Sequence, residues 1–178
     1  MKTEKQKKLE NLLEPFCPRW EPNILTLVSV LLTFCSSILI FQKDFMFAAF
    51  VFLLANVFDA FDGISARKYF KPTKFGSFFD KLVDRINDFV ILGTIIFATH
   101  QYLIGFLTLA FTFFASYESA LLDAYLKKQI GEKISLRPIR SSILFFGILS
   151  NNLIISLQLI LIISLYAFVS RFSKALKV

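Results

Sequence analysis

The stretch FDAFDGISAR, residues 58–67, lies against FMFAAFVFLLANV at 45–57 and is followed further on by FVILGTIIFAT at 89–99. Asp59, Asp62 and Arg67 thus interrupt one of the most apolar parts of the chain, and Asp80 and Asp84 lead into the next. An ionised side chain buried in hydrocarbon is costly unless it is paired or bound to a cation. Five such groups close together require a common reason.

The surroundings are those of a membrane. The chain has 178 residues, of which 56% are hydrophobic and 23 are Phe, well outside the usual soluble range. Apolar stretches cover 24–41, opened by Pro22-Asn23, then 45–66, 75–99 and 102–126, each close to or above the ~20 residues that span a bilayer. Residues 141–170 carry no charge. As a single helix they would measure about 45 Å, too long for a ~30 Å core, so Asn151-Asn152 predicts a turn between two short spans. The reading is an all-α integral membrane protein with six transmembrane helices and one domain, 1–178, in which 21–178 form the core.

Residues 1–20 lack the apolar core of a cleavable signal peptide. Leu9, Leu12, Leu13 and Phe16 recur at helical spacing beside Lys5, Lys7 and Lys8, which predicts an amphipathic helix on the membrane surface, with Trp20 at headgroup level. The formal charge is +7, but the basic residues cluster between apolar stretches and do not alternate with exposed aromatics, which argues against nucleic-acid binding. Cys17 and Cys35 are two lone thiols and imply neither a disulfide nor a zinc site.

The charge distribution orients the chain. With six spans, every one of the 20 Lys and Arg except Lys43 falls on the N-terminal side or just inside it. The positive-inside rule makes that side cytoplasmic and places both termini there. A five-span arrangement would move Arg171, Lys174 and Lys177 to the outside.

Asp59 and Asp62 are three apart and Asp80 and Asp84 four apart, so on helices each pair projects from one face. The two helices are consecutive and joined by a short basic loop, so they are antiparallel neighbours and the four carboxylates converge near the cytoplasmic face. Oxygen-only ligands suit Mg²⁺ or Mn²⁺, and two such ions would neutralise the cluster. Gly63, Ser65, Ala66 and Gly76 keep the backbone open to a bulky ligand, and Arg67 offers a planar fork of donors to a phosphate. A cation transport protein is the alternative from another class. However, the outer halves of these two spans, FMFAAFVFLLA and VILGTIIFAT, offer no polar continuation.

These residues carry a resemblance. Asp59-x-x-Asp62-Gly63-x-x-Ala66-Arg67, eight residues, then Gly76-x-x-x-Asp80-x-x-x-Asp84 resembles the complete signature of the CDP-alcohol phosphotransferase family, also called CDP-alcohol phosphatidyltransferases. Pro22-Asn23 with Thr26 is similar to that family's entry to its first membrane helix. The resemblance implies an enzyme of phospholipid synthesis that displaces CMP from a CDP-linked lipid with an alcohol. It carries the metal ligands onto Asp59, Asp62 and Asp80, with Asp84 also near the metals and acting as general base. Asp59, Gly63, Ala66, Arg67 and Gly76 become the positions that receive the CDP-lipid, and a homodimer is implied.

The acceptor is read from the second half. Ser116-Tyr117-Glu118-Ser119-Ala120, Gly131 and Arg137-Pro138-x-Arg140 resemble the branch that uses inositol phosphate, with Arg137 and Arg140 as a phosphate clamp. The pattern departs at Ser119, where that branch usually has Arg or Lys, which leaves glycerol 3-phosphate or serine open. Lys127, Lys128 and Lys133 read as positive-inside charges, and His100 lies on the far side from the site. Asp88 is expected to pair with Arg85 or Asn87. Glu118 and Asp123 lie in the fourth span, from which they could face the acceptor pocket, although no spacing fixes a role for either.

Overall fold

The computed structural model describes residues 13–125 and 136–175. Helix α1 (Pro22–Phe41) opens on a proline at its first position, where the missing N–H costs nothing. It closes through Lys43 at φ 62°, with Asp44 N donating to Leu39 O (2.9 Å) and Lys43 N to Ile40 O (3.0 Å). That pair of bonds satisfies the last carbonyls of the helix. Helix α2 (Phe45–Lys68) follows directly and ends on Arg67 and Lys68, whose charges complement the helix C-terminus. Helix α3 (Lys74–Thr99) is capped by Thr73, whose Oγ1 accepts from Gly76 N at 2.9 Å.

A turn with His100 at φ 55° leads to α4 (Tyr102–Tyr125). Helices α5 (Leu136–Leu149) and α6 (Leu153–Ala175) are joined through Asn151 at φ 55°. Asn152 N donates to Gly147 O (2.8 Å) and Asn151 N to Ile148 O (3.1 Å), the same closure as at Lys43. The turn expected at Asn151-Asn152 is therefore present.

Among the described residues there are six α-helices and no strand. Among the described residues, four stretches are long and apolar enough to cross a membrane: Pro22–Phe41, Phe45–Lys68, Tyr102–Leu122 and Leu153–Ser173. The chain is an all-helical membrane protein. The first half of α3 is charged by Lys74, Asp80, Lys81, Asp84 and Arg85, and Asp88 follows just past its middle. With 14 residues, α5 is about 21 Å long. The surface helix expected before α1 rests partly on Leu9 and Leu12, which lie outside the described residues. Glu14–Phe16 form a single 3₁₀ turn, after which the chain runs irregularly to Glu21.

The chain divides into two units, one to Ile91 and one from Leu92. In the first, α1 turns Thr26, Ser29, Thr33, Ser36 and Ser37 inward, all buried, and Ser36 Oγ donates to Ala48 O of α2 at 2.9 Å. Small residues of this kind let two membrane helices approach closely, which in lipid is the main source of their association. In the second, α6 packs against both α4 and α5. Thr108 Oγ1 donates to Leu157 O (3.2 Å) and Thr112 bonds Ser164 (3.1 Å). A Cβ at Gly147 would collide with Ser156 Oγ, so the α5–α6 hairpin needs a glycine there.

Candidate active site

The site is built on the C-terminal half of α2 and the first half of α3. One carboxylate oxygen from each of Asp59, Asp62 and Asp80 lies within 4.8 Å of the other two. Asp62 is 6% exposed, and Asp59 and Asp80 are half-buried. Helical spacing brings Asp59 and Asp62 to one side of α2, and the short link of residues 69–73 returns the chain so that Asp80 meets them. Asp84 follows one turn later on α3, with Oδ1 buried.

Three carboxylates this close repel one another, and together they could hold a metal ion. The donors are all oxygen, which fits a hard divalent ion rather than zinc or copper.

Thr26 of α1 completes the support. Its Oγ1 lies 2.7 Å from Asp62 Oδ2 and 3.0 Å from Pro22 O. The hydroxyl has one proton, and the carboxylate is the stronger acceptor. Donation to Oδ2 stops the carboxylate from rotating. Deeper along α1, Asn87 Nδ2 donates to Ser29 Oγ at 3.4 Å, tying α3 to the same helix.

Gly63 is explained by Arg67. A Cβ at Gly63 would stand 3.1 and 3.3 Å from the two terminal nitrogens of the Arg67 guanidinium. The side chain of Arg67 thus folds back one turn over Gly63, and a Cβ there would press the guanidinium aside by a few tenths of an ångström. Gly76 is similarly constrained, since its Cβ would stand 3.0 Å from Thr73 Oγ1 and 3.8 Å from Asn23 Oδ1.

The opposite face of α2 is held by the segment before α1. Glu14 pairs with Lys68 at 2.6 Å, and Ser65 Oγ donates to Trp20 O at 2.7 Å. Arg19 lies over the Tyr69 ring at 5.5 Å. Cys17 Sγ contacts Phe61 O at 3.5 Å inside a cluster with Leu25, Phe61 and Ile64. Burial is the main cause that raises the Cys17 thiol above its ordinary pKa, which makes it a poor nucleophile. Phe61, Ile64, Ser65 and Lys68 fall on the helix face opposite Asp59, Gly63 and Ala66, so the strap fixes α2 without covering the acidic side.

In the second unit, Arg137 and Arg140 lie in the opening turns of α5, both half-buried, on one side of the helix by their spacing. Asp88 pairs with Arg85 at 3.1 Å, as expected. Glu118 is in α4, and Asp123 falls on its last turn. Lys127, Lys128, Gly131 and Lys133 lie outside the described residues. Neither the Ser65–Trp20 bond nor the stabilising cluster around Cys17 has a local sequence signal. The hydroxyl at Thr26, next to a proline-opened helix, was the one available hint of a partner for Asp62.

A family model for CDP-alcohol phosphatidyltransferases matches residues 19–170. The chain is 30% identical over 157 residues to an archaetidylinositol phosphate synthase from Pyrococcus horikoshii, covering 88% of this chain and 84% of that one. It is 32% identical over 127 residues to an uncharacterized protein of Aquifex aeolicus, covering 65% and 64% respectively. The fold is similar to that of a Mycobacterium tuberculosis phosphatidylinositol phosphate synthase crystallised with CDP-DAG bound. The TM-score is 0.74 and the identity 21%, over 96% of this chain and 93% of that one.

Proposed function

The chain belongs to the CDP-alcohol phosphatidyltransferase family, and we propose that it transfers the lipid phosphoryl group of a CDP-linked lipid to inositol phosphate with release of CMP. The observation that carries this reading is the convergence of Asp59, Asp62 and Asp80 within 4.8 Å, beside an arginine folded over a bare glycine. The 30% identity to a protein named archaetidylinositol phosphate synthase supports the choice of acceptor over glycerol 3-phosphate or serine.

Asp59, Asp62, Asp80 and Asp84 would hold two divalent cations, Mg²⁺ or Mn²⁺, which when bound supply charge neutralisation to the diphosphate. Arg67 pairs with a phosphate oxygen, and the open backbone at Gly63, Ala66 and Gly76 lets the nucleotide approach α2. Asp84 takes the proton of the attacking hydroxyl as the new P–O bond forms and the bond to CMP breaks. The whole chain is one membrane domain in this reading, and α3 and α5 complete six crossings. The near-total placement of Lys and Arg on one side supports cytoplasmic termini, a site at the cytoplasmic face and an address in the cell membrane. A homodimer follows from the family resemblance.

Arg137 and Arg140 receive the acceptor's phosphate. Cations in the opening turns of a helix oppose its dipole, and an incoming anion relieves that conflict. Charge-assisted bonds of this kind are worth about 1.5–3 kcal/mol each. Arg137→Ala or Arg140→Ala is therefore expected to raise the acceptor KM about tenfold or more and to leave CDP-lipid affinity unchanged. If the kinetics of every acceptor stay intact, the pair only anchors the loop to headgroups.

Thr26 gives a second expected result. Thr26→Val keeps the shape and removes the proton donated to Asp62. Removing a partner that orients a metal ligand costs about 10–100-fold in metal affinity, so Mn²⁺ titration followed by EPR should show a weakening in that range. An unchanged Mn²⁺ isotherm would mean that Asp62 is not a ligand or does not need orienting.

The reading as a whole is tested with purified protein in lipid vesicles, a CDP-linked lipid, Mg²⁺ or Mn²⁺, and labelled inositol phosphate, glycerol 3-phosphate and serine in parallel. CMP release with inositol phosphate is the expected result. Release only with another alcohol would keep the chemistry and overturn the acceptor.

A further inference from the structure

Glu118 lies in α4, a helix that packs against α6 within the second unit. Both of its carboxylate oxygens are buried, and among the described residues neither accepts a hydrogen bond. A buried carboxylate ordinarily has donors to replace the water it has lost. The neighbouring cation is Arg171 of α6, close enough for its charge to act on Glu118. Yet Arg171 Nη1 donates to the backbone, to Ala115 O at 2.6 Å, one turn before Glu118. Its Nε is also buried without an acceptor. An ion pair whose purpose was to clamp α4 to α6 would direct the guanidinium at the carboxylate. Here both groups retain hydrogen-bonding capacity side by side.

Connectivity shows which end of the unit they occupy. Helices α5 and α6 are joined by the tight turn at Asn151, so the end of α6, bearing Arg171, returns towards the start of α5, bearing Arg137 and Arg140. Glu118 and Arg171 both fall in the last two turns of their helices. Carboxylate and arginines thus belong to one end of the second unit.

We propose that Glu118 binds the hydroxyls of the acceptor, its two oxygens accepting from a vicinal diol of a polyol phosphate whose phosphate faces the arginines. This rests on the acceptor reading given above. A carboxylate is the side chain suited to the task, because it offers two adjacent acceptors and no donor. It would repel an acceptor that is phosphate alone, and it would make the hydroxyls, not only the charge, a condition of binding.

The test measures steady-state kinetics of the full chain in vesicles with a CDP-linked lipid and divalent cation, comparing wild type, Glu118→Gln and Glu118→Asp. Inorganic phosphate serves as a competitive inhibitor without hydroxyls. Glu118→Gln should raise the KM for inositol phosphate about tenfold or more, leave the KM for CDP-lipid unchanged, and leave or strengthen inhibition by phosphate. Glu118→Asp, which keeps the charge beside Arg171 and withdraws it by one methylene, should raise the same KM, and it decides the matter alone if the Gln variant does not fold. An unchanged KM in either folded variant overturns the proposal. A KM and a phosphate inhibition constant that weaken by the same factor also overturn it, because Glu118 is then only the counter-ion that positions Arg171. If wild type releases no CMP with inositol phosphate, the acceptor reading falls and takes this inference with it; an active wild type with silent variants removes the inference alone.

Discussion

Asp80→Asn is expected to abolish CMP release. Asp80 is the contribution of α3 to a cluster whose other two members, Asp59 and Asp62, come from α2. Asparagine keeps the volume and one oxygen, but it removes the negative charge that would draw a divalent cation to the junction of the two helices. Without that cation the diphosphate meets uncompensated carboxylates, and the charge developing on the departing CMP is stabilised by Arg67 alone. Losing a single preorganised electrostatic contact costs about 10²–10³ in rate, and losing a metal removes several contacts at once. Excess chelator should have the same effect on the wild type, reversed by adding back Mg²⁺ or Mn²⁺. Full turnover in excess chelator would end the metal-dependent mechanism. The rival reading of a cation transport protein predicts ion flux through liposomes in the absence of any CDP-lipid, and a flux measurement on the same reconstituted preparation separates the two.

Asp84→Asn should lower turnover by roughly 10²–10⁴, the usual worth of a positioned general base. The substitution is nearly isosteric, and Asp84 lies one helical turn beyond the three clustered carboxylates, so CDP-lipid binding should weaken far less than turnover does. The split between the two is the informative quantity. Binding measured by displacement of a labelled CDP-lipid, set beside the rate of CMP release, reports it directly. If both fall by the same factor, Asp84 holds metal and some other group takes the proton.

Much of this architecture is legible in the amino-acid sequence because bilayer-spanning helices announce themselves by length and polarity. The apolar stretches end at Phe41, Phe45, Thr99 and Tyr102, and so do the helices. At the opposite ends the helices outrun the apolar sequence: α2 continues to Lys68 and α5 begins at Leu136, ahead of Arg137 and Arg140. Long basic side chains can lie along a helix and keep their heads in water, so hydrophobicity alone stops short there. The acidic cluster is legible for a different reason. Charges in an apolar setting stand out, and a spacing of three or four fixes the face they share.

Partners chosen across the fold are not legible in this way. The chain of hydroxyls along α1 looks like ordinary polar dilution of an apolar helix. Ser29, Thr33 and Ser37 each return a bond to a carbonyl of α1, whereas Thr26 reaches Asp62 and Ser36 reaches α2. Nothing in the spacing distinguishes the two kinds, because the choice depends on which residue the neighbouring helix presents. The same holds for Ser65 and Trp20, 45 positions apart, and for Glu118, whose unspent oxygens become visible only once α6 is packed against α4. The pairing of Arg85 with Asp88 was predictable because both partners belong to one helix.

The fold-back of Arg67 over Gly63 has a consequence for descent. A Cβ at position 63 would stand 3.1 Å from the guanidinium, so a side chain there presses on it. A mutation at 63 therefore acts at a distance of one turn, by shifting the end of a side chain that has not itself changed. A change at 67 would lift that constraint on position 63 without touching it. The two sites are one heritable character written in two codons, and drift at either is felt at the other.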